Sequence, residues 1–336
     1  MQTKKKILLI TTGGTIACIQ TENGLAPALT SEELLSFVPE IKEKYEIDTI
    51  NLFSIDSSNM GPDKWLKIAK TVEENYLYYS GFVICHGTDT MAYTAAALSY
   101  LIQNNNKPIV ITGAQKPIND YDTDARVNLR DSIRCAADNR LYGVSIVFGG
   151  KVIAGTRAKK EYSKSYNAFN SINFPIIASV QDKRKIFFIE GKPAKEPVFY
   201  HQMNPNVFIL KLIPGMDGHF LNTILEKYDA VIIESFGVGG LPEYEEGGFY
   251  EAVKRGVDNG KIIVMATQVT HEGSDLTIYK VGKKAKEDFD LVEAYDLTTE
   301  AVVTKTMWAL GQTKDPKEFK DLFYKTINHD MLFQES

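Results

Sequence analysis

Short apolar runs alternate along this chain with longer amphipathic stretches, and this alternation constrains the fold more than any other feature. The runs "KKILLITT", "IDTINLFSI", "GFVICHG" and "KPIVITGAQ" are typical of buried strands, and the stretches between them have helical periodicity. Strands that alternate with helices of this length predict βαβ units and a largely parallel sheet. The sequence therefore predicts an α/β fold.

Three local signals add detail to the pattern. Thr30 and Glu33 have the spacing of a capping box, which predicts that a helix starts there. Pro62 suits the first turn of the following helix. Gly149 and Gly150 lie between two strand-like runs and predict a hairpin.

The strand–helix pattern stops at the charged stretch "QDKRKIFFIEGKPAKEP" and restarts after it with "NVFILKLIPG". A length of 336 residues fits two domains or one large one. We place the boundary near residues 185–205. The predicted organisation is an N-terminal α/β domain over 1–190, a linker over 191–205 and a C-terminal α/β domain over 206–336.

Composition excludes several classes of function. A net charge of −5 argues against a nucleic-acid partner, because binding phosphates requires a clustered excess of Lys and Arg. The three cysteines, Cys18, Cys85 and Cys135, have neither a CxxC spacing nor an even number, so we expect buried thiols in a reducing compartment. No apolar run approaches the roughly 18 residues that a membrane span needs.

The segment "TTGGTIAC", residues 11–18, has three possible interpretations: a phosphate-binding loop, a lipoprotein cleavage box or a loop that carries a nucleophile. A dinucleotide-binding loop needs G-x-G-x-x-G and a P-loop needs Gly-Lys-Ser/Thr, and neither occurs here. A signal peptide needs about 7–15 apolar residues, whereas only Ile7–Ile10 precede the threonines. We therefore favour the nucleophile loop and expect a cytoplasmic protein.

Polar, glycine-containing segments follow each of the first four predicted strands. They are "TTGGTIA", "DSSNM", "HGTDT" and "TGAQ". In open α/β sheets, ligands bind beyond the carboxyl ends of the strands. The sequence therefore predicts a small-molecule site where these four segments converge.

Together, the four segments that follow the strands form the rim of the predicted site. Within this rim, Thr15 and the "HGTDT" segment suggest specific chemistry. A threonine hydroxyl becomes nucleophilic only when a base takes its proton, and otherwise Thr15 would serve as a turn-capping hydroxyl. Thr88 and Asp89 lie where a strand gives way to a helix, whose N-terminus favours a carboxylate or a developing oxyanion. Asp89 could bind a substrate amine or cap the helix. We interpret His86 as a hydrogen-bonded structural histidine.

The candidate base lies in "GTRAKKEYSKSYNAF". A lysine that is partly removed from water next to a threonine loses its proton more readily and can act as a base. Lys159 and Lys160 both qualify, each could equally be a solvated surface charge, and spacing does not distinguish them.

"TGGTIA" at 12–17 and "HGTDTMAYTA" at 86–95 resemble the two signature segments of the bacterial and archaeal L-asparaginases, in particular the cytoplasmic type I branch. The likeness covers nearly the whole chain. It also includes "DSSNM", "PIVITGAQ", "AFNSINFP", "ESFGVGGLP" and "TTEAVVTKTMWALG". The resemblance implies a larger N-terminal parallel-sheet domain and a smaller C-terminal α/β domain.

The resemblance also implies an activity and a set of site residues. Members of this family hydrolyse L-asparagine to L-aspartate and ammonia by double displacement on a threonine, without a metal or an organic cofactor, and they are homodimers or homotetramers. Carried over, the catalytic residues are Thr15, Thr88, Asp89 and Lys160, where alignment of "AFNSIN" selects Lys160 over Lys159. The substrate-binding residues are Asp56, Ser57, Gly87, Thr88, Asp89 and Ala114.

Three positions depart from the family pattern. Gly24–Leu25 stands where the family commonly has a Gly-Tyr pair with a catalytic tyrosine. Gly240 replaces an asparagine that some members supply to the neighbouring site, with Glu272 and Asp275 as candidate substitutes. Glu234 stands where some allosteric members carry an arginine that binds a second asparagine, so allosteric activation is not expected.

Two other functions are compatible with the same sequence. One is an asparaginase-like component of a tRNA-dependent amidotransferase, against which the acidic balance and the lack of an N-terminal extension argue. The other is an amino-acid sensor that kept the pocket but lost activity with the loop tyrosine.

Overall fold

A computed structural model describes residues 4–22, 24–193, 196–242 and 248–332 of the chain. The chain divides into two units, Met1–His201 and Gln202–Ser336. The strands of the first unit are β1 (Lys5–Gly13), β2 (Cys18–Thr21), β3 (Gly24–Pro27), β4 (Tyr45–Ile55), β5 (Gly81–Cys85), β6 (Ile102–Gln103), β7 (Pro108–Thr112), β8 (Gly143–Phe148), β9 (Lys151–Ala154), β10 (Ala158–Lys160), β11 (Phe169–Ser171), β12 (Ala178–Gln181), β13 (Arg184–Phe187) and β14 (Val198–Phe199). Its helices are α1 (Ser31–Ser36), α2 (Glu40–Lys44), α3 (Pro62–Asn75), α4 (Met91–Leu101) and α5 (Ala125–Ala136), with 3-10 turns at Thr15–Ala17 and Ser57–Asn59.

The main sheet of the first unit has the strand order β13-β12-β9-β8-β7-β5-β1-β4. Five neighbouring strands, β4, β1, β5, β7 and β8, run parallel to one another. The strands β9, β12 and β13 extend the sheet in antiparallel pairs. Every residue of β5 and β7 is buried, which explains why these strands are continuous apolar runs in the sequence. This arrangement confirms the predicted α/β fold with a largely parallel sheet.

The order of the strands determines where the four polar segments lie. β7, β5, β1 and β4 are consecutive neighbours in the sheet and are parallel to one another. The segments that follow them, predicted to form the rim of a site, therefore leave the same edge of the sheet side by side.

The local sequence signals are confirmed. Thr30 and Glu33 form both bonds of a capping box at the start of α1, and Pro62 is the first residue of α3. β8 and β9 form the predicted hairpin, with Gly149 and Gly150 between Phe148 and its partner Lys151.

Two short elements differ from the sequence prediction. The stretch after the first strand contains the small hairpin β2–β3 before α1 begins. In the stretch between "GFVICHG" and "KPIVITGAQ", which has helical periodicity, α4 ends at Leu101 because Ile102–Gln103 extend and pair with Val198–Phe199. These pairings depend on distant or weakly patterned partners, which periodicity does not reveal.

The second unit contains a four-stranded parallel sheet of order β15-β16-β17-β18. Its strands are β15 (Val207–Lys211), β16 (Ala230–Ser235), β17 (Ile262–Thr267) and β18 (Val292–Glu293). Its helices are α6 (Phe220–Lys227), α7 (Phe249–Asp258), α8 (Lys280–Phe289), α9 (Thr299–Gln312) and α10 (Pro316–Tyr324). No helix within the described ranges is long and apolar enough to cross a membrane.

Candidate active site

Two glycines at the end of β1, Gly13 and Gly14, allow the segments that follow β1, β4 and β5 to meet. Gly13 has a φ of +101°, and a Cβ there would lie 2.3 Å from the backbone oxygen of Ile55 at the end of β4. Gly14 has a φ of +81°, and its Cβ would lie 2.3 Å from the backbone nitrogen of Gly87 after β5. Because these neighbours are backbone atoms, only glycine fits at either position.

A third close contact joins the segments after β4 and β5. A Cβ on Gly87 would lie 2.6 Å from the Ser57 hydroxyl oxygen, and the Thr90 hydroxyl donates a hydrogen bond to the Ser57 carbonyl at 2.7 Å. These contacts enclose a cavity of about 230 Å³. Its lining residues are Gly14, Thr15, Cys18, Asp56, Ser57, Gly87, Thr88 and Asp89.

The cavity brings together most of the residues that the sequence singled out. Thr15 and Thr88, which are 73 positions apart in the chain, both line it, as do the two carboxylates Asp56 and Asp89. Its volume is below the roughly 300–1,000 Å³ of pockets for drug-sized ligands, so it suits a small metabolite. Ala114 is buried at the end of the neighbouring strand segment and is not among the lining residues.

A lysine, a threonine and an aspartate form a connected group at one side of the cavity. The Lys160 ammonium donates to the Thr88 hydroxyl oxygen at 2.7 Å and to the Asp89 carboxylate at 2.6 Å. The Lys160 side chain is 16% exposed, whereas the Asp89 side chain is 70% exposed. Asp89 is therefore free to meet a ligand from solvent while it holds the lysine in place.

The β10–β11 ribbon explains why Lys160 rather than Lys159 reaches Thr88. Lys160 pairs with Phe169 across the ribbon, and Lys159 pairs with Asn170. Successive side chains of a strand point to opposite faces. Only one of two adjacent lysines can therefore face Thr88, and the amine bonded to Thr88 is that of Lys160.

Asp56, which also lines the cavity, is held as an anion. Its carboxylate accepts hydrogen bonds from the backbone N–H and the hydroxyl of Ser58, at 2.8 Å and 2.7 Å. These bonds lower the pKa of Asp56. Burial and the nearby Asp56 charge raise the pKa of the Cys18 thiol, which donates to the Gly14 carbonyl at 3.3 Å. Cys18 therefore lines the cavity as a protonated thiol.

His86 has the structural role that the sequence suggested. It is completely buried, its Nδ1 lies 2.6 Å from the Gly87 carbonyl, and its Nε2 lies 2.9 Å from the Thr94 hydroxyl. Burial lowers the pKa of His86 to about 4. A neutral, doubly bonded imidazole supports the turn at Gly87 and is not available as a base at neutral pH.

Gln115 is a site residue that sequence reasoning missed. Its side-chain oxygen accepts a hydrogen bond from the Thr88 hydroxyl at 3.4 Å. Its backbone N–H donates to the buried carboxylate of Asp124. The only signal in the sequence was its place in "TGAQ", the fourth segment of the rim, but the contact itself depends on the fold.

The remaining sequence candidates lie in the second unit or outside the described side chains. Glu234 accepts a hydrogen bond from the Thr299 hydroxyl at 2.8 Å. Gly240 and Glu272 have φ angles of +121° and +73°, and the Asp275 carboxylate accepts from Thr277. The side chain of Leu25 lies outside the described residues. The three cysteines are free and buried, and the described part of the chain contains no cluster of His, Cys, Asp or Glu that could hold a metal ion.

Comparison with known families identifies the class of protein to which both parts of the chain belong. Residues 6–193 match the family described as "Asparaginase, N-terminal". Residues 206–323 match the "Glutaminase/Asparaginase C-terminal domain". The chain belongs to the asparaginase family.

Similar proteins include both hydrolases and one component of an amidotransferase. An L-asparaginase of Thermococcus kodakarensis is 37% identical over 326 residues, which cover 96% of this chain and 98% of the relative. A solved structure of the thermostable L-asparaginase from that organism aligns over 98% of this chain and all of its own, with 36% identity and a TM-score of 0.92. The L-asparaginase I structure from Vibrio cholerae gives 29% identity and a TM-score of 0.87, with 98% of this chain and 100% of its own covered. A glutamyl-tRNA(Gln) amidotransferase subunit of Metallosphaera sedula is 34% identical across 96% of this chain and 76% of its own length.

Proposed function

We propose that this chain hydrolyses L-asparagine to L-aspartate and ammonia, with Thr15 as the first nucleophile of a double displacement. The observation that carries the proposal is the Thr88–Lys160–Asp89 group beside a cavity that Thr15 also lines. Family membership and the L-asparaginases among the relatives support the same reaction.

Substrate binding follows from the charges around the cavity. Asp56 and Asp89 provide anionic oxygens for the substrate ammonium. Ser57 and the backbone N–H groups of Gly87 and Thr88, just before α4, provide donors for the α-carboxylate. From the family resemblance, we propose that the Ala114 carbonyl accepts a hydrogen bond from the side-chain amide. An amino acid would thus be held at both ends of its charged backbone, with its side chain directed at the threonines.

In the first step, the Thr15 oxygen attacks the side-chain carbonyl carbon. A C–O bond forms, the C–N bond breaks, and the amide nitrogen leaves as ammonia with the proton that Thr15 gives up. The developing oxyanion requires backbone N–H donors, and loss of one such donor typically lowers the rate by about 10²- to 10³-fold.

In the second step, water attacks the Thr15 ester. The C–O bond to Thr15 breaks, one water proton returns to the Thr15 oxygen, and aspartate leaves. Lys160, when neutral, can take a proton from Thr88, whose oxygen can in turn receive one from the attacking nucleophile. Asp89 orients Lys160 and stabilises its charged form.

Activation of Thr15 must differ from the usual pattern of the family. Leu25 has no ionisable group, and it stands where the family commonly has a tyrosine. Another tyrosine or a water could take that role, or the first step could be slower than in relatives. If the missing tyrosine limits turnover, Leu25→Tyr should raise kcat for asparagine, and an unchanged kcat would show that the position is not limiting.

Release of ammonia by the purified protein, with asparagine and glutamine in parallel, tests the proposal. We expect Thr15→Ala to abolish turnover and leave the fold intact, as judged by circular dichroism and the thermal midpoint. Addition of hydroxylamine should trap the acyl group of the wild type as aspartyl hydroxamate. Hydrolysis by Thr15→Ala at near wild-type rate would contradict the assignment of the nucleophile.

Assembly and location belong to the same proposal. By the family resemblance, we propose a cytoplasmic homodimer or homotetramer in which a neighbouring chain completes the site. Light scattering together with activity measured across a dilution series tests this. Full specific activity in a demonstrated monomer would contradict it.

A second candidate function is that of an amidotransferase component, which the 34% identity to the Metallosphaera sedula protein favours. In that case ammonia release would require a partner protein and tRNA. An amino-acid sensor would instead bind asparagine in a calorimeter without releasing ammonia. Turnover of asparagine by the isolated chain separates the hydrolase from both.

A further inference from the structure

Gln115 is anchored at both its backbone and its side chain. The backbone N–H donates to both carboxylate oxygens of Asp124, at 3.1 Å and 3.0 Å. The side-chain amide nitrogen donates to the carbonyl of Ser165 at 3.1 Å and to that of Tyr162 at 3.4 Å. Both carbonyls belong to the segment between β10 and β11, which begins immediately after Lys160.

These bonds fix the orientation of the Gln115 amide. A carbonyl can only accept a hydrogen bond, so the NH₂ group must face Tyr162 and Ser165. The side-chain oxygen is then turned to Thr88, whose hydroxyl oxygen lies 3.4 Å away. Gln115 therefore presents a fixed acceptor to Thr88 and cannot offer it a donor.

The Thr88 hydroxyl has a single proton and two neighbours that can take it. When Lys160 is charged, its ammonium donates to the Thr88 oxygen and has no lone pair to accept with. The Thr88 proton then points to Gln115. When Lys160 is neutral, the proton can turn to the lysine nitrogen, which is 2.7 Å away.

We propose that Gln115 is a positioning residue that holds the Thr88 proton while Lys160 is charged and so sets the pH at which this pair becomes active. The inference rests on the proposed function, in which Lys160 must be neutral to receive a proton. Because Gln115 accepts a bond only in the charged arrangement, it stabilises that arrangement relative to the reactive one.

Other charged groups on the surrounding segments are unchanged when Gln115 is replaced. Asp56 and Asp89 line the cavity. The Asp124 carboxylate accepts from the Gln115 backbone N–H, and Lys116 pairs with Asp122. The other titratable groups on the surrounding segments are Cys18, His86, Lys159, Glu161, Tyr162, Lys164 and Tyr166. A shift caused by Gln115 must therefore appear as a difference between variants at this one position.

Two substitutions at Gln115 should move the acid limb of the pH profile in opposite directions. Gln115→Met removes the acceptor, so the pH at which kcat reaches half its plateau should fall by about half a unit, the effect of losing one modest hydrogen bond. Gln115→Glu keeps an acceptor and adds a negative charge beside Lys160, so the midpoint should rise. Since Gln115 is not a lining residue of the cavity, KM for asparagine should stay within about twofold in both variants.

Gln312→Met is the matched control. The amide of Gln312 also donates to two backbone carbonyls, those of Gln202 at 3.0 Å and Trp308 at 2.9 Å, but these bonds lie within the second unit. The control should lose a comparable amount of stability and keep the wild-type pH midpoint. Coincident pH profiles for wild type, Gln115→Met and Gln115→Glu would overturn the proposal, as would shifts in the same direction.

Thr88→Val separates this inference from the proposed function. If Thr88→Val retains wild-type turnover, the roles assigned to Thr88 and Lys160 are wrong, and the proposed mechanism fails together with the inference. If Thr88→Val is inactive and the Gln115 variants keep the wild-type midpoint, only the role of Gln115 is overturned.

Discussion

Replacing Gly14 by alanine tests how the site is held together. Gly14 lies in the segment after β1, with a φ of +81°. An added Cβ would lie 2.3 Å from the nitrogen and 2.4 Å from the Cα of Gly87, and 2.8 Å from the carbonyl carbon of His86. All three are backbone atoms, so no side-chain rotation relieves the overlap.

Two costs add to the destabilisation expected from Gly14→Ala. An alanine at positive φ costs about 1–3 kcal/mol of backbone strain. Ordinary contact begins near 3.4 Å, so the segments that carry Thr15 and Thr88 must also separate by about 1 Å. Overpacking of this kind typically destabilises a protein by a further ~1–3 kcal/mol. A displacement of about 1 Å between reacting groups can lower the rate by about 10²-fold.

Gly215→Ala is a control matched for backbone strain. Gly215 has a φ of +80°, and a Cβ there would meet no heavy atom within 4 Å. It should therefore show the strain without the overlap, and keep its asparaginase activity. Denaturant unfolding and kcat/KM for asparagine measure both variants. Equal losses of stability and of activity in the two variants would refute the view that Gly14 is needed for the contact with Gly87.

Individual side chains give three further predictions. Lys160→Met should lower kcat by about 10²- to 10⁴-fold. Its free energy of unfolding should change by less than about 1 kcal/mol, because the Asp89 partner is 70% exposed. A kcat within about threefold of wild type in an ammonia assay would contradict the role of Lys160 as a base. Burial lowers the pKa of His86 to about 4 in the folded protein, against 6.5 in the unfolded chain, so the unfolded state takes up a proton first as the pH falls. The free energy of unfolding should therefore fall by up to about 3 kcal/mol between pH 6.5 and pH 4. His86→Gln should remove this part of the pH dependence, as measured by urea unfolding. Burial opposes ionisation of Asp138, but hydrogen bonds from Arg140 and Lys185 lower its pKa well below the usual range. Asp138 therefore contributes stability above about pH 4 that is lost at more acid pH. Asp138→Asn should be less stable than wild type at about pH 7, and its free energy of unfolding should change less between that pH and acid pH.

The position of the site could be predicted because it follows from topology. The segments around Thr15, Ser57 and Thr88 each come directly after a strand, and neighbouring parallel strands end at one edge of a sheet. The cavity is lined by these three segments. The fourth segment contributes through Gln115, which contacts Thr88 and does not line the cavity.

Contacts that depend on register or side-chain reach could not be predicted in the same way. Lys159 and Lys160 are equivalent in composition and spacing, and the pairing of Lys160 with Phe169 in a three-residue ribbon decides which one faces Thr88. Gln115 has no ionisable group or motif spacing that marks it. Its role depends on carbonyls about 50 positions away, at Tyr162 and Ser165.

The glycine pair at the end of β1 shows why spacing alone can separate two kinds of loop. In a phosphate-binding loop, glycines leave backbone N–H groups pointing at the anion. Here the Gly14 N–H donates to the Ile55 carbonyl at 3.1 Å, and the Gly14 carbonyl accepts from the Ala17 N–H at 3.0 Å. Both polar groups of Gly14 are therefore used to hold the segment against its neighbours. The glycines serve close packing, and Thr15, the next residue, lines the cavity.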